Sequence, residues 1–245
     1  MENREMRKTL MTVAALAMIA GAAQADVYTD NSGMEADGGD IAAAFTGFDH
    51  LDITQVEVTN DANFIYFDIS VAGDIDATNW GKYIIGMNTG RNAGSTGDAW
   101  GRNINWASGI TDFVGSWADD GGSGAGAELH AWDGAAWGLT DATYGAGTEV
   151  MADDANHAAG VQRIGVSLAS LGLSAGDVLL FDVATTGGGF DPGVDHLSQS
   201  GISTDDWPNQ STSGAFLSYT IAPIPAPGSV ALLGLGGLVA TRRRR

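Results

Sequence analysis

"DITQVEVTNDANFIYFDISV", Asp52 to Val71, decides the fold class. In its second half Ile65, Phe67, Ile69 and Val71 alternate with Phe64, Tyr66, Asp68 and Ser70. Strict alternation over eight residues is the period of a half-buried strand, because successive side chains leave opposite faces of a sheet. In the first half Val56 and Val58 share one face, and the run stops at Asn60-Asp61. Joined by "NDAN", the two runs predict an antiparallel hairpin.

The same grammar continues along the chain. "KYIIGMN", "RNINW", "TDFVGSW", "AELHAW", "VQRIGVSL", "VLLFDVAT" and "AFLSYTI" are short apolar runs bounded by glycine, asparagine and aspartate. "SLASLGL" reads as one helical turn closing a strand, and no long amphipathic helix is visible. About nine short strands without a fixed repeat predict an all-β protein, an antiparallel β-sandwich of jelly-roll type. Val56, Val58, Ile65, Phe67, Ile69, Ile164, Val166 and Leu168 are the expected core.

The ends of the chain differ from its body. Arg4, Arg7 and Lys8 precede the apolar stretch Val13 to Ala23 and the small-residue site "AQA", the pattern of a signal peptide over residues 1–25. The β-sandwich domain occupies 26–222, and 223–245 reads "PIPAPGSVALLGLGGLVATRRRR". Arginine is costly to move through hydrocarbon and favours the cytoplasmic side. A short apolar run followed by four arginines therefore predicts a transient stop in the membrane, body outside. The tail resembles the bacterial PEP-CTERM sorting signal in Pro225, Pro227, the apolar run Val230 to Val239, and Arg242, Arg243, Arg244 and Arg245. Ala226 stands where that family most often has glutamate, a variant of the motif. The resemblance implies processing by an exosortase-type sorting protease and delivery to the outer surface or extracellular matrix of a bacterial cell.

Within the body 28 carboxylates face only Lys82, Arg91, Arg102 and Arg163, a formal charge of 4 − 28, or −24. Such a surface repels phosphate backbones, so a nucleic-acid partner is not expected. With no cysteine, the domain has no disulfides, no thiol nucleophile and no cysteine-held metal. H-E-x-x-H, G-x-S-x-G and P-loop motifs are missing, and the four histidines form no recognisable triad motif.

The order of a hairpin near the start, a glycine-rich middle and a "GDVLLFDV" strand resembles the sandwich domains of the DOMON and family 9 carbohydrate-binding-module type. That likeness implies a binding or display module, often for sugars, without catalysis. "HAWDGAAW" carries the candidate site. A two-residue turn at Asp133-Gly134 would set Trp132 opposite Ala135 and His130 opposite Trp137. His130, Trp132 and Trp137 would then share a face, with Trp100, Trp106 and Trp117 near enough in sequence to extend it. Exposed indoles form a platform for the C–H faces of sugar rings, and an extracellular polysaccharide is the expected partner; buried ones would simply fill the core. "DIDATN" alternates oxygen-bearing residues, so Asp74 and Asp76 are candidates for a structural calcium ion, although solvated loops are the ordinary reading of such runs. A glycan-cleaving enzyme is the alternative function; it needs two facing carboxylates, and among 28 some pair meets that spacing by chance, so spacing alone carries no signal for it.

Overall fold

The structure, a computed structural model, describes residues 25–30, 41–78, 80–118, 124–145 and 147–224. The signal-peptide segment up to residue 24 and the sorting motif of Pro225, Pro227 and Arg242 to Arg245 lie outside the described residues. Among the described residues no helix is long and apolar enough to cross a membrane.

The fold is the antiparallel β-sandwich that the alternation predicts. Strands β1 (Asp26–Thr29), β2 (Ile53–Asn60) and β3 (Phe64–Val71) are joined in one sheet by β10 (Val161–Ser167) and β9 (Val150–Asp153), in the order β1-β2-β3-β10-β9. The opening hairpin pairs Val56 with Ile69 and Val58 with Phe67. Its turn is built by Asp61, whose Oδ1 accepts the N–H groups of Asn63 and Phe64 at 2.7 and 2.8 Å.

The second sheet contains β4 (Lys82–Asn88), β6 (Asp112–Trp117), β7 (Gly126–Trp132), β8 (Trp137–Ala142), β11 (Val178–Thr186) and β12 (Gly193–His196), in the order β12-β11-β4-β6-β7-β8. β14 (Leu217–Thr220) pairs with the first half of β11. The single helical turn α1 (Leu168–Leu171) falls where "SLASLGL" predicts it. Ser167 Oγ caps it by accepting the Ser170 N–H, and Gly172 ends it at a φ of 68°.

The expected core residues line the space between the sheets. Val56, Val58, Ile65, Phe67, Ile69, Ile164 and Val166 have no exposed surface and Leu168 has 6 %. They meet Tyr83, Ile85, Met87, Val114, Leu129, Phe181 and Val183 from the second sheet. Burying one such side chain contributes roughly 1.5–3 kcal/mol, and this shared interior holds the two sheets together. Asn60, fully buried, ties the end of the domain to the first hairpin. Its Oδ1 accepts Tyr219 Oη–H and the Ala222 N–H, both at 2.8 Å, while its Nδ2 donates to Ala222 O at 3.1 Å.

A second layer covers part of the outward side of the seven-stranded sheet. It includes β5 (Ile104–Asn105) and β13 (Ser211–Thr212), which pair in parallel, and a small apolar cluster of Ile84, Ile104, Trp106, Ile110, Phe113 and Ala184. Arg91 fixes the start of the covering loop by donating to Thr111 O at 2.8 Å and to the Asp112 carboxylate.

Candidate functional site

Three glycines in the middle strands of the seven-stranded sheet leave its outward face bare, and an indole lies on each. A Cβ on Gly86 would stand 2.8 Å from the Trp106 ring, one on Gly115 2.4 Å from Trp100, and one on Gly126 2.2 Å from Trp117. A glycine inside a strand often marks such a close approach. Trp106 is fully buried under the second layer, whereas Trp100 and Trp117 are partly exposed. Trp100 is held at φ 56° and ψ 21°, a left-handed backbone conformation that a bulky residue rarely adopts, as does Asp98 two residues earlier at φ 59°. Strained positions of this kind cluster at ligand sites.

Trp100 and Trp117 stand 6.3 Å apart at 32°, and Trp117 and the exposed Tyr144 stand 6.3 Å apart at 28°. Further along the face, His130 stacks on Phe113 at 4.6 Å and 7°, and Trp137 meets the edge of Phe113 at 4.8 Å. Trp132 and Trp137 lie 5.2 Å apart. The result is a strip of aromatic rings running from Tyr144 to Trp132.

Glu128 sits within the strip. It accepts Tyr144 Oη–H at 2.5 Å, Trp100 Nε1–H at 3.1 Å and His130 Nε2–H at 3.1 Å. Burial pushes its pKa up, but the hydrogen bonds from Tyr144, His130 and Trp100 outweigh burial and hold it below the ordinary glutamate value. It is a fixed carboxylate acceptor.

His130, Trp132, Trp137 and Trp117 therefore share the outward face, but the predicted register needs a correction. Trp132 pairs directly with Trp137, and His130 pairs with Leu139. The Asp133 N–H bonds Ala136 O at 3.1 Å, so the loop is centred on Gly134 and Ala135, one residue later than the Asp133-Gly134 turn. Asp133 Oδ1 accepts the N–H groups of Ala135 and Ala136, both at 2.8 Å, and thereby builds the loop from its first residue. The shift preserves the face because the pairing slides by two residues, one whole alternation. Nothing in the local pattern singles out Glu128, Tyr144 or the seat of Trp100; Gly115 inside the run "TDFVGSW" and Gly126 just before "AELHAW" are the available signal.

Asp74 and Asp76 stand apart from this strip in the loop before β4. Asp74 Oδ1 accepts the Asp76 N–H at 2.8 Å, and Asp76 Oδ1 lies 3.7 Å from His157 Nδ1. Among the described residues no group of three or more His, Asp or Glu side chains is placed to hold a metal ion.

A further constellation has no local sequence motif. His196 Nδ1 lies 2.8 Å from Asp182 Oδ2, and its Nε2 lies 3.2 Å from Ser211 Oγ. The order matches that of a serine nucleophile, its base and the orienting acid. All three side chains are fully buried, however, and Ser211 Oγ also accepts the Gly193 N–H at 2.8 Å. No substrate reaches such a hydroxyl. The trio instead clamps β11, β12 and β13, with Asp182 Oδ1 also accepting the Val183 and Ser198 N–H groups. Neither a protein-family model nor a curated protein matches this chain.

Proposed function

We propose that the domain is a non-catalytic glycan-binding module of an exported protein sorted to the bacterial surface or matrix. The observation that carries this reading is the strip itself: partly exposed rings laid on glycine positions of a rigid sheet, with a fixed carboxylate among them. Sugar C–H faces pack on such rings, and hydroxyl groups donate to such an acceptor. A carboxylate has about four lone-pair sites, and Glu128 uses three, so one acceptor site is left for a sugar hydroxyl. A glycosidase needs a carboxyl group whose pKa is raised so that it can donate a proton. The depressed pKa of Glu128 favours binding over cleavage. The terminal segments support export, a transient membrane stop and processing by an exosortase-type protease.

The test is retention on insoluble polysaccharides of the full chain and of two variants, Trp117→Ala and the double substitution Trp132→Ala with Trp137→Ala. Loss of ring stacking should weaken binding by about tenfold or more in each. Retention unchanged in both variants would sink the platform.

A further inference from the structure

The four cations of the body are not treated alike. Arg91 is neutralised by Asp112 and Arg163 by Asp68, the latter at 3.0 Å. Lys82 and Arg102 have no carboxylate within ion-pair distance among the described residues. Both stand at the end of the aromatic strip. Lys82 is the cross-strand partner of Trp117, and the Arg102 guanidinium lies 4.7 Å from the centre of the Trp100 ring.

Their remaining contacts are neutral. Lys82 Nζ donates to Trp80 O at 2.9 Å, and Arg102 Nη1 donates to Gly189 O. Arg102 is only 7 % exposed, and its buried Nε–H has no acceptor. Burial lowers the pKa of each; the charge of Arg102 lowers that of Lys82 further, while Asp191, beyond ion-pair distance, acts on Arg102 in the opposite sense. Buried charge is ordinarily paired, and this body has a large surplus of carboxylates with which to pair it. Among the described residues two neighbouring cations stand beside two indoles with no carboxylate in ion-pair contact, and such a place suits an anion that comes from outside.

We propose that Lys82 and Arg102 form an anion subsite of the aromatic strip that receives the carboxylate of an acidic sugar. This rests on the glycan-binding reading above and narrows its ligand. A polyanionic chain is repelled by the −24 body as a whole. The ligand is therefore a largely neutral glycan with isolated uronate residues: the rings take the neutral sugars and the cation pair takes the acid.

The experiment is calorimetric titration of the full chain with two matched xylo-oligosaccharides, one unsubstituted and one carrying a single 4-O-methylglucuronate. A charge-assisted contact predicts about tenfold tighter binding of the acidic oligomer. Lys82→Gln should bring the ratio of the two affinities close to one, and Lys82→Arg should retain it. Equal affinities for wild type, or a preference that survives Lys82→Gln, would overturn the subsite. If the neutral oligomer binds and Trp117→Ala loses it while no acidic preference exists, the subsite falls and the platform stands. If neither oligomer binds, the subsite falls, and the platform falls with it where the insoluble polysaccharides also fail to retain the full chain.

Discussion

On its outward side the five-stranded sheet carries single side chains that serve one another. Arg163 Nη1 bonds both oxygens of Asp68 at 3.2 and 3.0 Å, and its guanidinium lies over Tyr66 at 4.7 Å. Met151 bends over Gly165. The outward side of the seven-stranded sheet carries a second stretch of chain, three indoles seated on glycines and a buried Asp182–His196–Ser211 trio. Both sheets present the same alternating apolar residues inward, so the core does not account for the difference. The glycine-rich middle of the chain does: where side chains are deleted from a sheet, aromatic rings and loops settle against the backbone. One back of the sandwich is finished surface, and the other is a foundation.

The sharpest way to break this contrast is to remove one polar partner from each side, a buried one from the seven-stranded sheet and a half-exposed one from the five-stranded sheet. Asp182→Ala strands the N–H donors of His196, Val183 and Ser198 in the interior and should cost about 3–5 kcal/mol. Arg163→Met removes a partly exposed ion pair and should cost no more than about 1 kcal/mol. Urea unfolding midpoints of both variants check the difference, and similar losses would mean that the second layer is not anchored by the trio.

A matched pair of glycines sharpens the comparison. In Gly115→Ala the new methyl meets the rigid Trp100 ring, and the expected cost is about 1–3 kcal/mol together with weakened glycan retention. In Gly165→Ala it meets the unbranched Met151 side chain, Cγ at 2.6 Å and Sδ at 2.7 Å, which can swing aside. The expected change is below about 1 kcal/mol, with retention unaffected. Melting curves and the polysaccharide gel read out both effects.

The smallest effect concerns acid. Because the folded-state pKa of Glu128 lies below the ordinary value of 4.5, its contribution is complete above that pH and is lost as the pH falls through the depressed value. Glu128→Gln should therefore lose less stability than wild type between pH 6 and pH 3, as measured by urea unfolding at each pH. An equal loss would show that the acceptor in the strip is not held as a carboxylate by its three donors.

What could be read from the sequence was whatever depends on near neighbours. The first hairpin is legible because alternation and its turn lie within one stretch of chain. β1, β8, β9 and β12 are only four to six residues long and carry little periodic signal. β5 falls within the expected run "RNINW", but the two-residue β13 exists only through its pairing with β5, across more than a hundred residues. Residues 182, 196 and 211 meet for the same reason: topology brings them together, and no spacing announces it. The aromatic face was legible as a face, but not its register, because Asp133 caps the loop and moves its centre. The seats of Trp100 and Trp117 were written in Gly115 and Gly126, whose significance depends on which strand lies beside which.

Asn60 also has a mechanical consequence. Any tension on the chain beyond Pro223 enters the sandwich at Ala222, whose N–H and carbonyl are both bonded to that one side chain. The load passes directly from the C-terminal end into β2, a strand paired along both of its edges, as well as into β14. A tethered copy of this domain would thus be held by its first hairpin as firmly as by its last strand, and Asn60→Ala should lower the force at which a pulled domain begins to open.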